Sequence, residues 1–246
     1  MAVCCSEGVV LRNHRLGDSD LIAVLYTRTH GRVSGVAKNA CRTRSQFMGK
    51  LEPLSWSEIV FFAKEGKDLV SIDKVDLIQS FAQRTNNYRC LMQLNLVAEL
   101  VLETTPEREP NDSLFRLILL ALPQLTRVAT ADLAQLYFEV WYLKLAGLLP
   151  DHRSCYHCGR PFEPDQACCA SAMSFSCLQC QRGRAREVSP EALGLLDAIS
   201  KQHLTELSKQ LPQLEAIEEL GQCIEEFLQR SFERSFRSLK LIQDAI

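Results

Sequence analysis

The chain has 246 residues, 46% of them hydrophobic, with 28 Lys and Arg against 30 Asp and Glu for a net charge of −2. That apolar content can bury sizeable cores in one to three modest domains, and no run of about eighteen apolar residues offers a membrane span. The near-neutral balance excludes a polycationic nucleic-acid coat and leaves room only for a local basic surface.

The first region, to about residue 80, reads as β. Ser6–Arg12 and Leu21–Thr27 are short apolar runs split by Gly17-Asp18-Ser19-Asp20, and Thr29-His30-Gly31 is a turn signal leading into Arg32–Lys38. After a charged, irregular stretch come Trp56–Phe62 and Leu69–Leu77, separated by Lys64-Glu65-Gly66-Lys67-Asp68. Several of these runs carry apolar residues on both faces, as in Leu21-Ile22-Ala23-Val24-Leu25, and a small closed barrel would bury them that way. Five short strands suit an OB-like barrel; a small open sheet packed on helices is the alternative.

Helical spacing then takes over. Leu91, Leu94, Ala98 and Val101 share one helix face. Pro106 to Pro110 interrupts the pattern, and Asn111-Asp112-Ser113 offers N-cap candidates before Leu114–Leu122. A third helix starts after Thr130, with Leu133, Leu136, Tyr137, Val140 and Trp141 inward, and ends near Gly147. A cysteine-rich segment with little apolar content follows, after which Ser189-Pro190 is a helix start with Ser as cap and Pro in the first turn. Leu193, Leu196 and Ile199, then Leu220, Ile224, Phe227 and Leu228, again fall at helical spacing. These late helices are expected to pack on the earlier ones, so that the cysteine segment is an insertion. The expected fold is α+β, divided as an OB-like barrel over 1–80, a helical domain over 81–150 and 187–246, and a metal module over 151–186.

Eleven cysteines would suggest disulfides in a small secreted chain. The opening Met1-Ala2-Val3-Cys4-Cys5 has neither a basic n-region nor an apolar h-region, so the expected compartment is the cytoplasm. An odd count cannot pair fully, and four of the eleven form Cys155-x2-Cys158 and Cys177-x2-Cys180, eighteen residues apart. That spacing brings four thiolates around one Zn²⁺, with Gly159 letting the first knuckle close. A segment this poor in core needs such a staple, because metal binding supplies folding free energy. Cys168, Cys169, His157 and His152 are alternative ligands. A closed four-thiolate shell has no open coordination position, so zinc is expected to be structural.

From Arg28 to Lys50 the sequence has Arg28, Arg32, Lys38, Arg42, Arg44 and Lys50 and no Asp or Glu. Guanidinium groups pair with phosphate, and an OB barrel offers a groove where such charges can follow a strand of nucleic acid. A charge run can also be no more than a solvated loop. Tyr26, Phe47 and Trp56 are the stacking candidates, with Phe47 in the basic loop preferred and Trp56 assigned to the core. With so few aromatics, phosphate contacts and strong salt sensitivity are expected. No P-loop, G-x-S-x-G or H-E-x-x-H motif is present, and the five histidines are scattered. Asp18 and Asp20 flank a turn, where Asx-type hydrogen bonds are expected. The residues point to a binding protein and not to an enzyme.

At Glu7–Arg12, Gly17-Asp18-Ser19-Asp20-Leu21, Thr27-Arg28, Gly31-Arg32-Val33, Val36-Ala37-Lys38, Arg42, Arg44-Ser45, Leu51-Glu52-Pro53, Thr105–Asn111 and the knuckle Cys155…Cys158-Gly159, the chain resembles the RecO family nearly end to end. The resemblance implies a protein that binds single- and double-stranded DNA, anneals complementary strands and helps load RecA, with RecR and the single-stranded-DNA-binding protein as partners. It carries DNA contact onto Arg32, Lys38, Arg42 and Arg44. Asn39-Ala40-Cys41 stands where many members have a small and basic run, and some members lack the cysteines. The docking site for the single-stranded-DNA-binding protein's acidic, hydrophobic tail is placed, as a hypothesis, on the helix Leu133–Leu148 with Lys144. Two other readings are a zinc-stabilised protein-interaction scaffold and a zinc-dependent nucleic-acid enzyme, the latter disfavoured by the four-thiolate shell.

Overall fold

A computed structural model of the chain describes residues 2–64, 66–163, 165–171, 173–181, 185–210 and 212–244. Five strands, β1 (Ala2–Leu16), β2 (Asp20–Thr27), β3 (Gly31–Ala37), β4 (Ser55–Ala63) and β5 (Leu69–Ser80), close a barrel in the order β1-β2-β3-β5-β4. Of the turn expected between β4 and β5, Glu65 lies outside the described residues. β1 is longer than its apolar run because it serves two neighbours. Its first half pairs with β4, from Ala2↔Ala63 to Val9↔Trp56, and its second half with β2, from Gly8↔Thr27 to Leu16↔Asp20. The register slips between Val10 and Arg12, and a bulge of this kind bends a strand, which lets one strand serve two sides of the barrel.

The closing seam is the parallel pairing of β3 with β5, from Ser34↔Leu69 to Ala37↔Ile72. Gly35 sits on that seam, where a Cβ would come 2.7 Å from the Ile72 side chain. Alternate residues such as Ala23, Leu25, Val33, Ile59 and Phe61 fill the interior, joined by Phe47 and Leu51 from the connection between β3 and β4. That connection is a chain of turns, closed by Arg42 N–H to Asn39, Ser45 to Arg42, Met48 to Ser45 and Lys50 to Phe47.

Seven α-helices follow among the described residues: α1 (Tyr88–Thr104), α2 (Asp112–Leu125), α3 (Val128–Leu145), α4 (Pro190–Lys201), α5 (Leu204–Gln210), α6 (Leu214–Ser231) and α7 (Arg237–Gln243). The chain divides into two compact units, Met1–Arg127 with Phe236–Ile246, and Val128–Ser235. In the first, Asn87 caps α1 by accepting from Cys90 N–H, and Asn111 caps α2 by accepting from Leu114 N–H. The Glu99 carboxylate on α1 accepts the N–H groups of Arg237 and Ser238 at 2.7 and 2.8 Å, fixing the start of α7.

In the second unit α3 packs against α4, α5 and α6, so the late helices do meet an earlier one. Leu133, Leu136, Tyr137 and Val140 are buried as their spacing implied, while Trp141 is half-buried and donates to the Ile199 carbonyl at 3.0 Å. Ser189 caps α4 by accepting from Ala192 N–H, and its own N–H and Oγ donate to the Glu219 carboxylate at 2.7 and 2.6 Å. Between α3 and α4 lies the cysteine module, built on a three-stranded sheet ordered β7 (Ser174–Cys177), β6 (Cys168–Ser171), β8 (Arg186–Val188). Phe175 of β7 meets Phe227 of α6 edge to face at 5.5 Å, an apolar anchor for an otherwise polar module. No described helix is long and apolar enough to cross a membrane.

Candidate nucleic-acid surface and metal centre

The cations of the basic stretch divide into two kinds. Arg28 Nε donates to Asp112 at 2.7 Å and its Nη1 lies 3.6 Å from Glu7. Lys50 donates to the Val75 carbonyl at 2.8 Å. Arg32, expected to contact DNA, donates through Nε to the Thr105 carbonyl at 3.1 Å, with Nη1 3.5 Å from Glu107 and only 20% of its side chain exposed. Its guanidinium is committed to the segment between α1 and α2, and the structure sets it apart from the other three cations.

Lys38, Arg42 and Arg44 are exposed, and among the described residues their side chains have no hydrogen bond or ion pair. The backbone brings them to one end of the barrel. Arg15 pairs with Leu21 and Leu21 with Ala37, so Lys38 leaves β3 beside the end of β1. Asp20 Oδ1 then accepts from Asn39 N–H at 2.8 Å, and Cys41 N–H donates to the Ser19 carbonyl, tying the loop to the turn between β1 and β2. Asp20 thus holds a neighbouring loop and not its own turn. A cleft of about 440 Å³ opens there, lined by Asn13, His14, Arg15, Arg42 and Met48, with Glu52 as its one acid.

Arg12 and Arg15 on β1 are also exposed and without a side-chain partner among the described residues. Sequence reasoning passes over them because they precede the acid-free run; only the pairing of β1 with β2 puts them beside it. The aromatic expectations require correction. Phe47 is 5% exposed and plugs the barrel core, where a small loop needs an apolar anchor, and Tyr26 is buried as well. Trp56, assigned to the core, is half-buried and donates to Glu7 at 3.0 Å. Neither Tyr26 nor Phe47 can stack on a base beside these cations.

The second site is a knot of thiols. Cys155, Cys158, Cys177 and Cys180 place their Sγ atoms within 4.8 Å of one another, and Cys158 and Cys177 are 4.0 Å apart. A tetrahedral ion with metal–sulfur bonds of about 2.3 Å needs sulfurs about 3.8 Å apart, so small side-chain adjustments suffice. The knuckles are closed by Gly159 N–H to the Cys155 carbonyl at 2.8 Å and Cys180 N–H to the Cys177 carbonyl at 3.0 Å. Gly159 takes φ +69°, the left-handed conformation that glycine adopts without strain.

Burial acts to raise the Cys155 thiol, but the N–H groups of Cys177, Cys158 and His157 outweigh it and bring it down to about 6. Hydrogen bonds with Cys177 and then Cys158 push Cys180 up to about 12. One proton-sharing cluster with a ready thiolate suits a soft divalent cation. Cys168, Cys169, His152 and His157 stand outside the cluster. Burial and then the charge of Cys169 push Cys168 up to about 12, so it behaves as a small apolar side chain.

Comparison with known proteins adds two family matches: "Recombination protein O N terminal" over residues 1–81 and "Recombination protein O C terminal" over residues 86–240. A DNA repair protein RecO from Koribacter versatilis is 29% identical over 237 residues, spanning 96% of this chain and 97% of its own. Two more proteins of that name, from Bifidobacterium adolescentis and Bifidobacterium longum subsp. infantis, are each 31% identical over 245 residues. The first match spans 96% of this chain and 97% of the relative, the second 98% and 99%.

Proposed function

The chain belongs to the RecO family of DNA repair and recombination proteins, and on that premise we propose that it binds single- and double-stranded DNA, anneals complementary strands and helps load RecA together with RecR. The observation that carries this is the set of exposed cations without side-chain partners among the described residues, Arg15, Lys38, Arg42 and Arg44, brought by the strand pairing toward one end of a closed barrel, with Arg12 also exposed on β1. Phosphate oxygens are what such a set lacks. With Tyr26 and Phe47 buried, the barrel contact is electrostatic and indifferent to sequence. In this reading the protein works by binding, in the cytoplasm, with one Zn²⁺ in the four-cysteine cluster acting as a structural brace.

Five phosphate contacts to single-stranded DNA give a slope of about −3.5 in log K against log salt, at roughly 0.7 per contact. Reversing two of the cations, Arg42→Glu with Arg44→Glu, is expected to flatten that slope by about 1.4 and to weaken all sequences alike. Binding that is absent or indifferent to salt would favour the zinc-stabilised protein scaffold instead.

The acidic, hydrophobic tail of the single-stranded-DNA-binding protein fits a groove in the second unit. The stripe Leu133, Leu136 and Val140 of α3 is buried and cannot receive it, so the apolar wall comes from Phe162, Pro190 and Leu193, in a pocket of about 490 Å³ that holds Arg153 and Lys201 together with the acids Glu163 and Asp197, the latter paired with Lys201 at 2.6 Å. A second pocket of about 270 Å³ shares His152 and Arg153 with it and reaches Lys144. His152 Nε2 is buried without a hydrogen bond among the described residues, and the carboxylate beside it is the protein's own Asp197 at 3.8 Å. Lys144→Glu and Arg153→Glu should each weaken a tail peptide about tenfold or more, as reversing a charge against an acidic ligand does; a peptide bound as tightly as before would remove this placement.

A further inference from the structure

The two cysteine knuckles share a feature that metal binding does not need. In each, the residue after the first cysteine is a large side chain turned out to water: Tyr156 is 76% exposed and Leu178 is 52% exposed. Neither sits on a loose end. Tyr156 N–H is held by the Phe175 carbonyl, and Leu178 lies inside the turn closed by Cys180 N–H to the Cys177 carbonyl. A tightly bonded scaffold therefore holds apolar surface in solvent, where it gains nothing for folding.

A second ring and a guanidinium stand beside these tips. The His157 ring, also exposed, stands edge to face against Tyr156 at 5.4 Å. Arg160 reaches from the first knuckle to the second, its Nη1 donating to Gln179 at 3.4 Å, and it has no carboxylate partner among the described residues. The sequence holds no Asp or Glu from His152 to Phe162 and none from Gln166 to Arg186. The intervening acids, Glu163 and Asp165, belong to the connection between the knuckles; an apolar protein partner would not by itself call for knuckles free of acid. A polyanion with flat, unpaired rings would: aromatic faces stack on bases and a guanidinium pairs with phosphate. A duplex keeps its bases stacked on one another and offers the rings nothing.

We propose that the two knuckles form a second nucleic-acid contact, in which Tyr156 and His157 stack on bases of a single strand and Arg160 pairs with its phosphate. The module then reads unpaired bases as well as bracing the fold. This adds to the barrel end, where His14 is exposed beside the cations but Tyr26 and Phe47 are buried. The inference rests on the chain being a nucleic-acid-binding protein, but not on the barrel surface, and the two can fail separately.

The test uses the full chain and a thymidine homopolymer, with metal content measured for each variant. Tyr156→Ala is expected to weaken single-strand binding about fivefold or more, the worth of one stacked base. That ratio should persist at high salt, because stacking releases no counterions. Tyr156→Trp should retain affinity, and duplex binding and metal content should not change. His157→Ala gives an independent reading should Tyr156→Ala lose its metal. The double reversal Arg42→Glu with Arg44→Glu should instead weaken single strands and duplex alike, with a ratio that shrinks as salt rises. Wild-type single-strand affinity in metal-replete Tyr156→Ala, or an equal loss on duplex, overturns the proposal even where the barrel variant behaves as expected. Loss of a protein partner with DNA binding intact would also overturn it and make the tips a protein-docking surface. If Tyr156→Ala weakens binding while the barrel reversal does nothing, the knuckle contact stands and the barrel surface falls.

Discussion

Glu139 is the place where the second unit can be tested most directly. It lies on α3 with 1% exposure. Burial, and then the charge of Glu225 on α6, push its carboxyl well above the usual range, against the opposing hydrogen bond from Gln135 at 2.8 Å. A carboxyl raised in the folded state favours folding fully below its unfolded value, about 4.3, and loses that contribution as pH climbs through the folded value. One proton is worth at most about 1.36 kcal/mol per pH unit, so between about pH 5 and pH 8 the ceiling is about 4 kcal/mol. Structural relaxation around the pair reduces this to about 1–3 kcal/mol. Glu139→Gln keeps the shape and the acceptor for Gln135, adds an N–H that can face Glu225, and cannot ionise. Urea unfolding followed by circular dichroism should therefore find parent and variant close at about pH 5 and the variant more stable by about 1–3 kcal/mol at about pH 8. Parallel stability curves, or a variant that weakens toward alkaline pH, would show that the two carboxyl groups do not share this burial.

Three further outcomes follow from the geometry. A strong chelator should remove one metal ion and open the cysteine module while the barrel keeps its far-ultraviolet signature; protein purified under reducing conditions with no bound metal would count against the centre. Arg32→Ala should lower stability by about 1–2 kcal/mol, the worth of a half-buried charged hydrogen bond, and leave DNA affinity within about twofold; the reverse pattern would return Arg32 to the DNA surface. Gly35→Val should cost about 1–3 kcal/mol or more in thermal or urea unfolding, because its side chain meets Ile72 across the parallel seam, and an unperturbed variant would mean the seam opens easily.

Much of this was legible in the residues because local signals and tertiary demands agree. The run at Leu21–Thr27 is apolar on both faces because a barrel interior takes one face and, for Val24 and Tyr26, neighbouring chain covers the other. The cap at Ser189 and the knuckle glycine at 159 obey chemistry that neighbours cannot override. What could not be read depends on who pairs with whom. Nothing local shows that β1 continues from Ala2 to Leu16, since its flanks are held by ladder hydrogen bonds and not by burial. Phe47 sits among Lys, Arg and Ser, and only the turns around it aim the ring inward. Asn87 as the cap of α1 left too weak a mark among polar neighbours.

The fate of the cations is the deepest case, because a count of charges says nothing of their partners. In an OB barrel the outer face of strands 2 and 3 is the usual platform for a nucleic acid. Here that face is partly taken by the chain itself. Thr105–Asn111 runs against it: Arg108 N–H donates to the Arg32 carbonyl at 3.0 Å, Glu107 bridges to Arg32, and Tyr26 lies buried with 1% exposure. Gly31, at φ +64°, lets the turn come so close to the Glu109 backbone that no side chain would fit. Arg28 and Arg32 therefore hold the segment and the start of α2 in place, their guanidinium groups already paired with Asp112, the Thr105 carbonyl and Glu107. The free positive charge is displaced to the far end of β3, onto Lys38, Arg42, Arg44 and the neighbouring Arg15. The proposed contact at the barrel's end agrees with a side already occupied by the protein's own helical connection.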